Sequence, residues 1–155
     1  MPEIRKLVRR TGDAERGATV FAGVGTCSKC HIVGKTGSEI GPNLSEIGDK
    51  LSRQAMYESI LFPSAGISHN YETWSVLVDD GTMATGLKVS QSDKMVSIRN
   101  KDGVQRDIPS GQVEEIQRLS TSLMPSDLHT LMTTEQLVDL VGYLESLKKA
   151  AGNAE

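Results

Sequence analysis

Cys27-Ser28-Lys29-Cys30-His31 is the stretch of this sequence that constrains its structure most strongly. On one helical turn, residues three and four positions apart project from the same face. The two thiols therefore lie on one side of the turn, with the imidazole of His31 beside them. The chain has two cysteines in all, and both lie inside this motif.

The C-x-x-C-H spacing is the signature of covalent c-type haem attachment. Each thiol can reach one of the two vinyl groups along an edge of the porphyrin, and the histidine can reach the iron beneath the ring. We therefore predict one covalently bound haem c, held by Cys27 and Cys30, with His31 as an axial iron ligand. The low aromatic content, 4% of the residues, is compatible with a large apolar cofactor in the core.

Two other interpretations of the cysteine pair are a redox-active C-x-x-C and half of a zinc site. A thioredoxin-like site expects a strand before the motif and a long helix directly after it, whereas here a helical pattern precedes the motif and glycine-rich chain follows. A zinc site needs further ligands at compatible spacing, and the other histidines, His69 and His129, are isolated in the sequence. Haem attachment is therefore the preferred interpretation.

Periodicity divides the rest of the chain into helical and alternating segments. Helical spacing is found at residues 13–22, 52–61 and 133–147. Asp13 is a candidate N-cap for the first helix, and Thr133 with Gln136 is a candidate capping box for the last. Alternating segments separated by Asp-Gly and Ser-Asp turns predict strands. These strands are residues 73–78, 82–89, 95–99 and 104–108, with 113–118 as an optional fifth.

The order of the motifs resembles that of a class I cytochrome c. A helix with Gly17 and Phe21 precedes the cysteine motif, Gly41-Pro42-Asn43-Leu44 follows it, and Tyr143 lies in the terminal helix. The resemblance implies that the first and last helices cross at Gly17, Phe21 and Tyr143. It also implies that the carbonyl of Pro42 binds the second ring nitrogen of the haem-ligating histidine.

The same resemblance implies a methionine as the second axial ligand, placed before the terminal helix and followed by proline. Met124-Pro125 matches, so Met124 is the predicted sixth ligand. Its rivals are Met132, Met56, Met83, Met95, His69 and His129. We expect the methionines at 56, 83 and 95 to fill the core and the one at 132 to pack near the haem edge. We expect both histidines to face solvent, and only His69 lies in a stretch flexible enough to swing towards the iron.

The segment between His31 and Met124 is longer than a compact class I domain needs. The order of Ile60–Ser64, Tyr71-Glu72, the Asp-Gly hairpins, Ile108-Pro109 and Ser122–Pro125 resembles a haem-binding domain family of planctomycete- and verrucomicrobium-type bacteria. We therefore predict a mainly α cytochrome c fold with an inserted antiparallel β-meander at about residues 70–118, α+β overall. The insertion is either a cover for the haem or a docking surface. The predicted domain covers residues 13–148, with an extension at 1–12 and a tail at 149–155.

The function predicted from this ligand set is one-electron transfer. A His/Met iron is coordinatively saturated, and no group of catalytic residues is recognisable in the sequence, so we expect an electron carrier and not an enzyme. Two alternatives stay open. One is a five-coordinate or ligand-displaceable haem that acts as a gas sensor or peroxidase. The other is an interaction domain in which the haem is a structural staple.

Charge and hydropathy restrict the function and the cellular location that this sequence predicts. The formal net charge of −3 argues against a nucleic-acid binder. No apolar run approaches the roughly 18 residues of a membrane span, and the first residues do not have the pattern of a signal peptide. Because covalent haem attachment normally occurs outside the cytoplasm, we expect a periplasmic or otherwise exported protein, or a domain of one. Its expected partners are an upstream dehydrogenase and a downstream electron acceptor.

Overall fold

The computed structural model describes residues 3–150. They form two compact units, described separately below. The helix unit consists of the described chain up to residue 63 and from residue 126 onward, and the sheet unit consists of residues 64–125. The last five residues of the predicted C-terminal tail, 151–155, and residues 1–2 of the predicted extension lie outside the described residues.

The helix unit contains the α-helices of the described chain. These are α1 (Ile4–Leu7), α2 (Ala14–Ala22), α3 (Ile47–Lys50), α4 (Arg53–Leu61) and α5 (Thr134–Ser146). The side chain of Asp13 accepts a hydrogen bond from the Arg16 N–H at the start of α2, and Thr133 with Gln136 forms a complete capping box on α5. These caps satisfy N–H groups that a first helical turn leaves unpaired. All three predicted helices are confirmed to within one residue at each end, whereas α1 and α3 were not predicted.

Helices α2 and α5 cross where glycine meets the neighbouring backbone. A Cβ on Gly17 would lie 1.9 Å from the backbone oxygen of Asp139, so only glycine permits this approach. Beside it, the rings of Phe21 and Tyr143 pack edge to face, with their centroids 5.5 Å apart. The crossing predicted at Gly17, Phe21 and Tyr143 is confirmed.

A buried carboxylate adds a polar link between α2 and α5. Asp139 accepts hydrogen bonds from the backbone N–H of Asp13 and from Nε of Arg16, both at 2.8 Å. The Arg16 hydrogen bond is the main reason why the pKa of Asp139 is lowered. Because the carboxylate is paired and hydrogen-bonded, its burial is tolerated.

Arg53 ties α4 to two other parts of the helix unit. Its guanidinium donates to the carbonyl oxygens of Val8 and Arg10, both at 2.9 Å. The same group forms an ion pair with Glu145 of α5. The N-terminal segment, α4 and α5 are thereby joined through one side chain.

Strands occur in both units of the described chain. A two-stranded ribbon of β1 (Ile32–Val33) and β2 (Thr36–Gly37) follows the cysteine motif. The sheet unit contains β3 (Thr73–Val78), β4 (Met83–Gln91), β5 (Met95–Arg99), β6 (Gln105–Pro109) and β7 (Val113–Leu119). The order in this antiparallel sheet is β6-β5-β4-β3-β7. Strands β3 to β6 thus pair in succession, but β7 returns to pair with β3 on the opposite edge, so the sheet is not a simple meander throughout.

One face of the sheet holds the core of the sheet unit. Its buried residues are Val76, Val78, Ala84, Val96, Ile98 and Ile108. Met83 and Met95 were expected to fill this core, but they are 61% and 38% exposed. Each precedes a core residue by one position, and successive side chains of a strand point to opposite faces. That prediction was wrong, whereas Met56 of α4 is buried as predicted.

Candidate functional site

The chain turns tightly between α2 and the cysteine motif. The N–H of Gly25 donates to the carbonyl of Val20 at 2.9 Å, and the N–H of Thr26 donates to that of Gly23 at 3.0 Å. A Cβ on Gly25 would lie 2.8 Å from the Val20 oxygen, so the turn needs glycine there. Thr26 then adopts a left-handed conformation, with φ at 55°, which is uncommon for residues other than glycine. This turn sets the direction in which the motif begins.

The motif itself begins with a 3₁₀ turn, Cys27–Lys29. The N–H groups of Cys30 and His31 both donate to the carbonyl of Cys27, at 3.1 and 2.9 Å. The predicted helical turn is therefore present, in the tighter 3₁₀ form at its start. Cys27, Cys30 and His31 are all partly buried.

The imidazole of His31 is held by the segment that follows β2. Its Nδ1 lies 2.7 Å from the carbonyl oxygen of Pro42, which is the contact expected from the sequence. Gly41 packs on the ring: a Cβ there would lie 2.6 Å from Cε1 and 2.9 Å from Nδ1. The N–H groups of Ile40 and Gly41 donate to the Cys30 carbonyl at 3.0 and 2.6 Å, which fixes the segment on the motif.

Burial sets the protonation states of the site. It lowers the pKa of His31, although the Pro42 hydrogen bond acts in the opposite direction. Burial also raises the pKa of Cys27 to about 11. At neutral pH the imidazole is therefore neutral, with Nδ1–H donating to Pro42 and a lone pair on Nε2, and Cys27 is a protonated thiol.

The side chains present fit a covalently attached haem. They supply two thiols and an imidazole whose Nδ1 is already engaged, which leaves Nε2 for a metal. Across residues 3–150, no three His, Cys, Asp or Glu side chains come together in a way that would hold a metal ion. A metal bound through His31 therefore needs most of its ligands from a cofactor, and a porphyrin provides four.

Met132 lies next to the motif within the helix unit. A Cβ on Gly25 would lie 3.3 Å from Sγ of Cys27 and 3.5 Å from Cε of Met132. The thiol and the methionine methyl group thus flank the same glycine. This position is consistent with the expectation that Met132 packs near the cofactor edge.

Met124 is the one predicted site residue that belongs to the sheet unit. It is partly buried, and its backbone N–H donates to Oγ of Ser122 at 3.1 Å. The other four, Cys27, Cys30, His31 and Pro42, come together in the helix unit. Ligation of the iron by Met124 stays a prediction.

The two remaining histidines differ in their surroundings. His69 is exposed, as predicted, and lies 3.5 Å from a carboxylate oxygen of Glu72. His129 lies in a 3₁₀ turn, Leu128–Leu131, and its Nδ1 is buried without a hydrogen-bond partner among the described residues. The side chain of His129 as a whole is partly buried, so the prediction that it faces solvent was wrong for Nδ1.

Sequence reasoning missed two glycines that shape the site. Gly25 permits the close turn before Cys27, and Gly41 permits contact with the His31 ring. Gly41 was noted only as part of the Gly-Pro motif, and its position beside a predicted ligand was the available signal. Gly25 had no such signal, because the sequence does not show that the backbone oxygen of Val20 lies against this glycine.

Comparison with known proteins places the site in context. A model of the cytochrome c family matches residues 14–97, just over half of the chain. The matched region includes the cysteine motif and Pro42 and ends before Met124. No curated protein matches the chain significantly. In residues 3–150, no helix is long and apolar enough to cross a membrane.

Proposed function

Because the chain belongs to the cytochrome c family, we propose that it carries single electrons on one covalently bound haem c. A cytochrome c domain implies haem-based electron transfer. In this proposal Cys27 and Cys30 form the thioether bonds, and Nε2 of His31 ligates the iron. The observation that carries this proposal is the 2.7 Å contact between Nδ1 of His31, the histidine of the C-x-x-C-H motif, and the carbonyl oxygen of Pro42.

The thiols supply the attachment chemistry. Each thiol would add its sulfur to one carbon of a vinyl group and its hydrogen to the other. The S–H bond and the π bond would be replaced by a C–S and a C–H bond, so no oxidant or reductant would be consumed.

When bound, the haem supplies one-electron chemistry through the ferric and ferrous states of its iron. The Pro42 carbonyl accepts the Nδ1–H hydrogen bond, fixes the tautomer of His31 and makes its Nε2 a stronger donor, which favours the ferric state. Burial of the site excludes water and favours the less charged ferrous state. The chain therefore sets the reduction potential through two opposing effects at His31.

We assign the sixth coordination position to Met124. The Met124-Pro125 sequence precedes α5, as the resemblance to class I cytochromes c requires. A neutral thioether raises the reduction potential. With His31 and Met124 as its ligands, the iron would have no open site for oxygen, peroxide or substrate, and the protein would act as a carrier and not as an enzyme.

The finer assignments rest on the resemblance to class I cytochromes c and to the planctomycete- and verrucomicrobium-type domains. They place the domain at residues 13–148 and treat the sheet as an insertion at about 70–118. The division into compact units supports this, because residues 64–125 separate the two segments of the helix unit. They also assign an exported location, between an upstream dehydrogenase and a downstream acceptor.

The test is an absorption spectrum of oxidised and reduced holoprotein made with the haem-attachment machinery. It compares wild type with Met124→Ala, and with Met83→Ala as a matched control, since Met83 is an exposed methionine of the same unit. We expect the weak far-red band of a methionine-ligated ferric haem in wild type and in the control, and its loss in Met124→Ala. Absence of this band from wild type, together with carbon monoxide binding to its ferrous form, would refute Met124 ligation and support a sensor or peroxidase.

A further inference from the structure

The order of strands brings the two ends of the sheet unit together. Its first strand, β3, pairs with its last strand, β7, and Thr73 lies opposite Leu119. Paired strands lie about 4.8 Å apart, so the chain leaves the sheet beside the point where it entered. In a simple meander the first and last strands would instead lie on opposite edges. The return of β7 to β3 therefore directs the residues after Leu119 back towards the start of the unit.

A serine hydroxyl joins the incoming chain to the outgoing chain. The backbone N–H of Ser122 donates to Oγ of Ser64 at 3.0 Å, across 58 positions of sequence. Ser64 is the first residue of the sheet unit, and Ser122 lies close to its last residue. This hydrogen bond therefore closes the sheet unit where the chain enters and leaves it.

Met124 is tied to the same junction. Its backbone N–H donates to Oγ of Ser122 at 3.1 Å. The two hydrogen bonds run in series, from Met124 to Ser122 and from Ser122 to Ser64. Among the described residues of the sheet unit, no backbone–backbone hydrogen bond involves residues 120–125. The two serine hydroxyls therefore hold the segment that carries Met124 on its own unit.

We propose that Ser64 and Ser122 are positioning residues for Met124, and that the sheet unit is the support that holds this methionine in place for the iron. The inference rests on the proposed function, because it needs Met124 as the sixth ligand. A segment without these bonds samples more conformations, which it must give up when the thioether binds the iron. This assigns the sheet unit a role different from the two considered from the sequence, a haem cover and a docking surface.

The proposal has a consequence for ligand binding. Imidazole competes with a methionine for the sixth position of a ferric haem. If the segment is released, Met124 competes less well and imidazole binds more tightly. A net hydrogen bond shifts such an equilibrium by about fivefold. Because the two bonds lie in series, breaking either one releases Met124, and breaking both adds little.

The experiment titrates ferric holoprotein with imidazole and follows binding by absorption. The variants are Ser64→Ala, Ser122→Ala and the double variant, with Ser64→Thr as the conservative variant that keeps a hydroxyl. Ser92→Ala is the matched control, because Oγ of Ser92 accepts the N–H of Met95 at 3.1 Å in the same unit. It removes the same kind of hydrogen bond from a methionine that is not assigned to the iron. Urea unfolding of every variant measures the effect on stability.

We expect both single variants and the double variant to bind imidazole about fivefold more tightly than wild type. Ser64→Thr and Ser92→Ala are expected to match wild type, although Ser92→Ala loses as much stability as Ser122→Ala. Serine variants that bind imidazole as wild type does would overturn the proposal. So would an equal gain in Ser92→Ala, which would show a general loosening of the sheet unit. A double variant that binds about twenty-fivefold more tightly would also overturn it, because the two bonds would then act independently.

Met124→Ala separates this proposal from the proposed function. If Met124→Ala binds imidazole more tightly than wild type but the serine variants do not, Met124 is the ligand and only the positioning role is refuted. If Met124→Ala binds imidazole as wild type does, the assignment of the sixth ligand fails, and the positioning role fails with it. Hydrogen exchange at the Met124 amide reports on the segment itself: we expect faster exchange in Ser64→Ala than in Ser92→Ala, and equal exchange would contradict the series arrangement.

Discussion

Replacing Gly41 with alanine would push directly on the proposed iron ligand. The new Cβ would lie 2.6 Å from Cε1 of His31 and 3.1 Å from Nε2. Carbon atoms in ordinary contact are about 3.5 Å apart, so the ring or the segment must shift by roughly 0.9 Å. Since Nδ1 now lies 2.7 Å from the Pro42 oxygen, such a shift lengthens that hydrogen bond to near its limit of about 3.5 Å.

The expected magnitude follows from that hydrogen bond. A net hydrogen bond contributes about 1 kcal/mol, and for one electron about 1.4 kcal/mol corresponds to 59 mV. Loss of the bond makes His31 a weaker donor and disfavours the ferric state, so the potential is expected to rise by about 40 mV. Overpacking adds a stability loss of about 1–3 kcal/mol.

The assay is a potentiometric titration of the holoprotein. Pro42→Ala is the matched control, because it keeps the backbone carbonyl, and it is expected to stay near the wild-type potential. Gly66→Ala controls for the added methyl group, since a Cβ on Gly66 would meet nothing within 4 Å. A Gly41→Ala potential equal to that of wild type, with haem still attached, would refute the claim that this contact orients the ligand.

Two further predictions concern the crossing of α2 and α5. Asp139→Asn is expected to lower the free energy of unfolding by about 2 kcal/mol at pH 7, since it removes a charge-assisted hydrogen bond with Arg16. Because the folded pKa of Asp139 is lowered, its stabilising contribution is complete above the unfolded value of about 3.9 and is lost as the pH falls through the folded pKa. Urea unfolding of wild type and Asp139→Asn at pH 7 and pH 3 checks this. If the two proteins differ in free energy of unfolding by the same amount at both pH values, the prediction is contradicted. Gly17→Ala is expected to lower the free energy of unfolding by about 3 kcal/mol, because its Cβ would meet the Asp139 backbone oxygen at 1.9 Å. In the control Gly111→Ala the new Cβ meets nothing within 4 Å, so the free energy of unfolding should change by less than about 0.5 kcal/mol. Similar melting temperatures for the two variants would argue against close packing at the crossing.

Local patterns in the sequence were enough to locate most elements. Helix caps at Asp13 and Thr133 act within one turn, and the hairpin turns at Gly81 and Gly103 have the positive φ angles that glycine permits. Each signal involves neighbouring residues only. The sequence therefore predicted the ends of α2, α4 and α5 to within one residue.

Features that depend on distant contacts could not be predicted in this way. The alternation in residues 113–118 indicates a strand but not its partner, so the pairing of β7 with β3 was not foreseen. A shift of one residue exchanges the two faces of a strand, which is why Met83 was assigned to the core although Ala84 occupies it. The short helix α1 has too few residues for a helical period to be recognised.

The candidate site shows the same division. The residues that act through chemistry, Cys27, Cys30 and His31, could be proposed from their spacing. The contact of Pro42 with His31 was expected from family resemblance and is present. The roles of Gly25 and Gly41 depend on which atoms the fold brings near them, and spacing carries no information about that.

The central claim is that this chain holds one haem through Cys27 and Cys30. The most direct test is the intact mass of denatured protein produced with the haem-attachment machinery, for wild type and for the Cys27→Ser/Cys30→Ser variant. The account predicts that wild type is heavier than its polypeptide by the mass of one haem and that the variant has the polypeptide mass alone. A wild-type chain that retains no haem after denaturation, or a variant that still does, would contradict it.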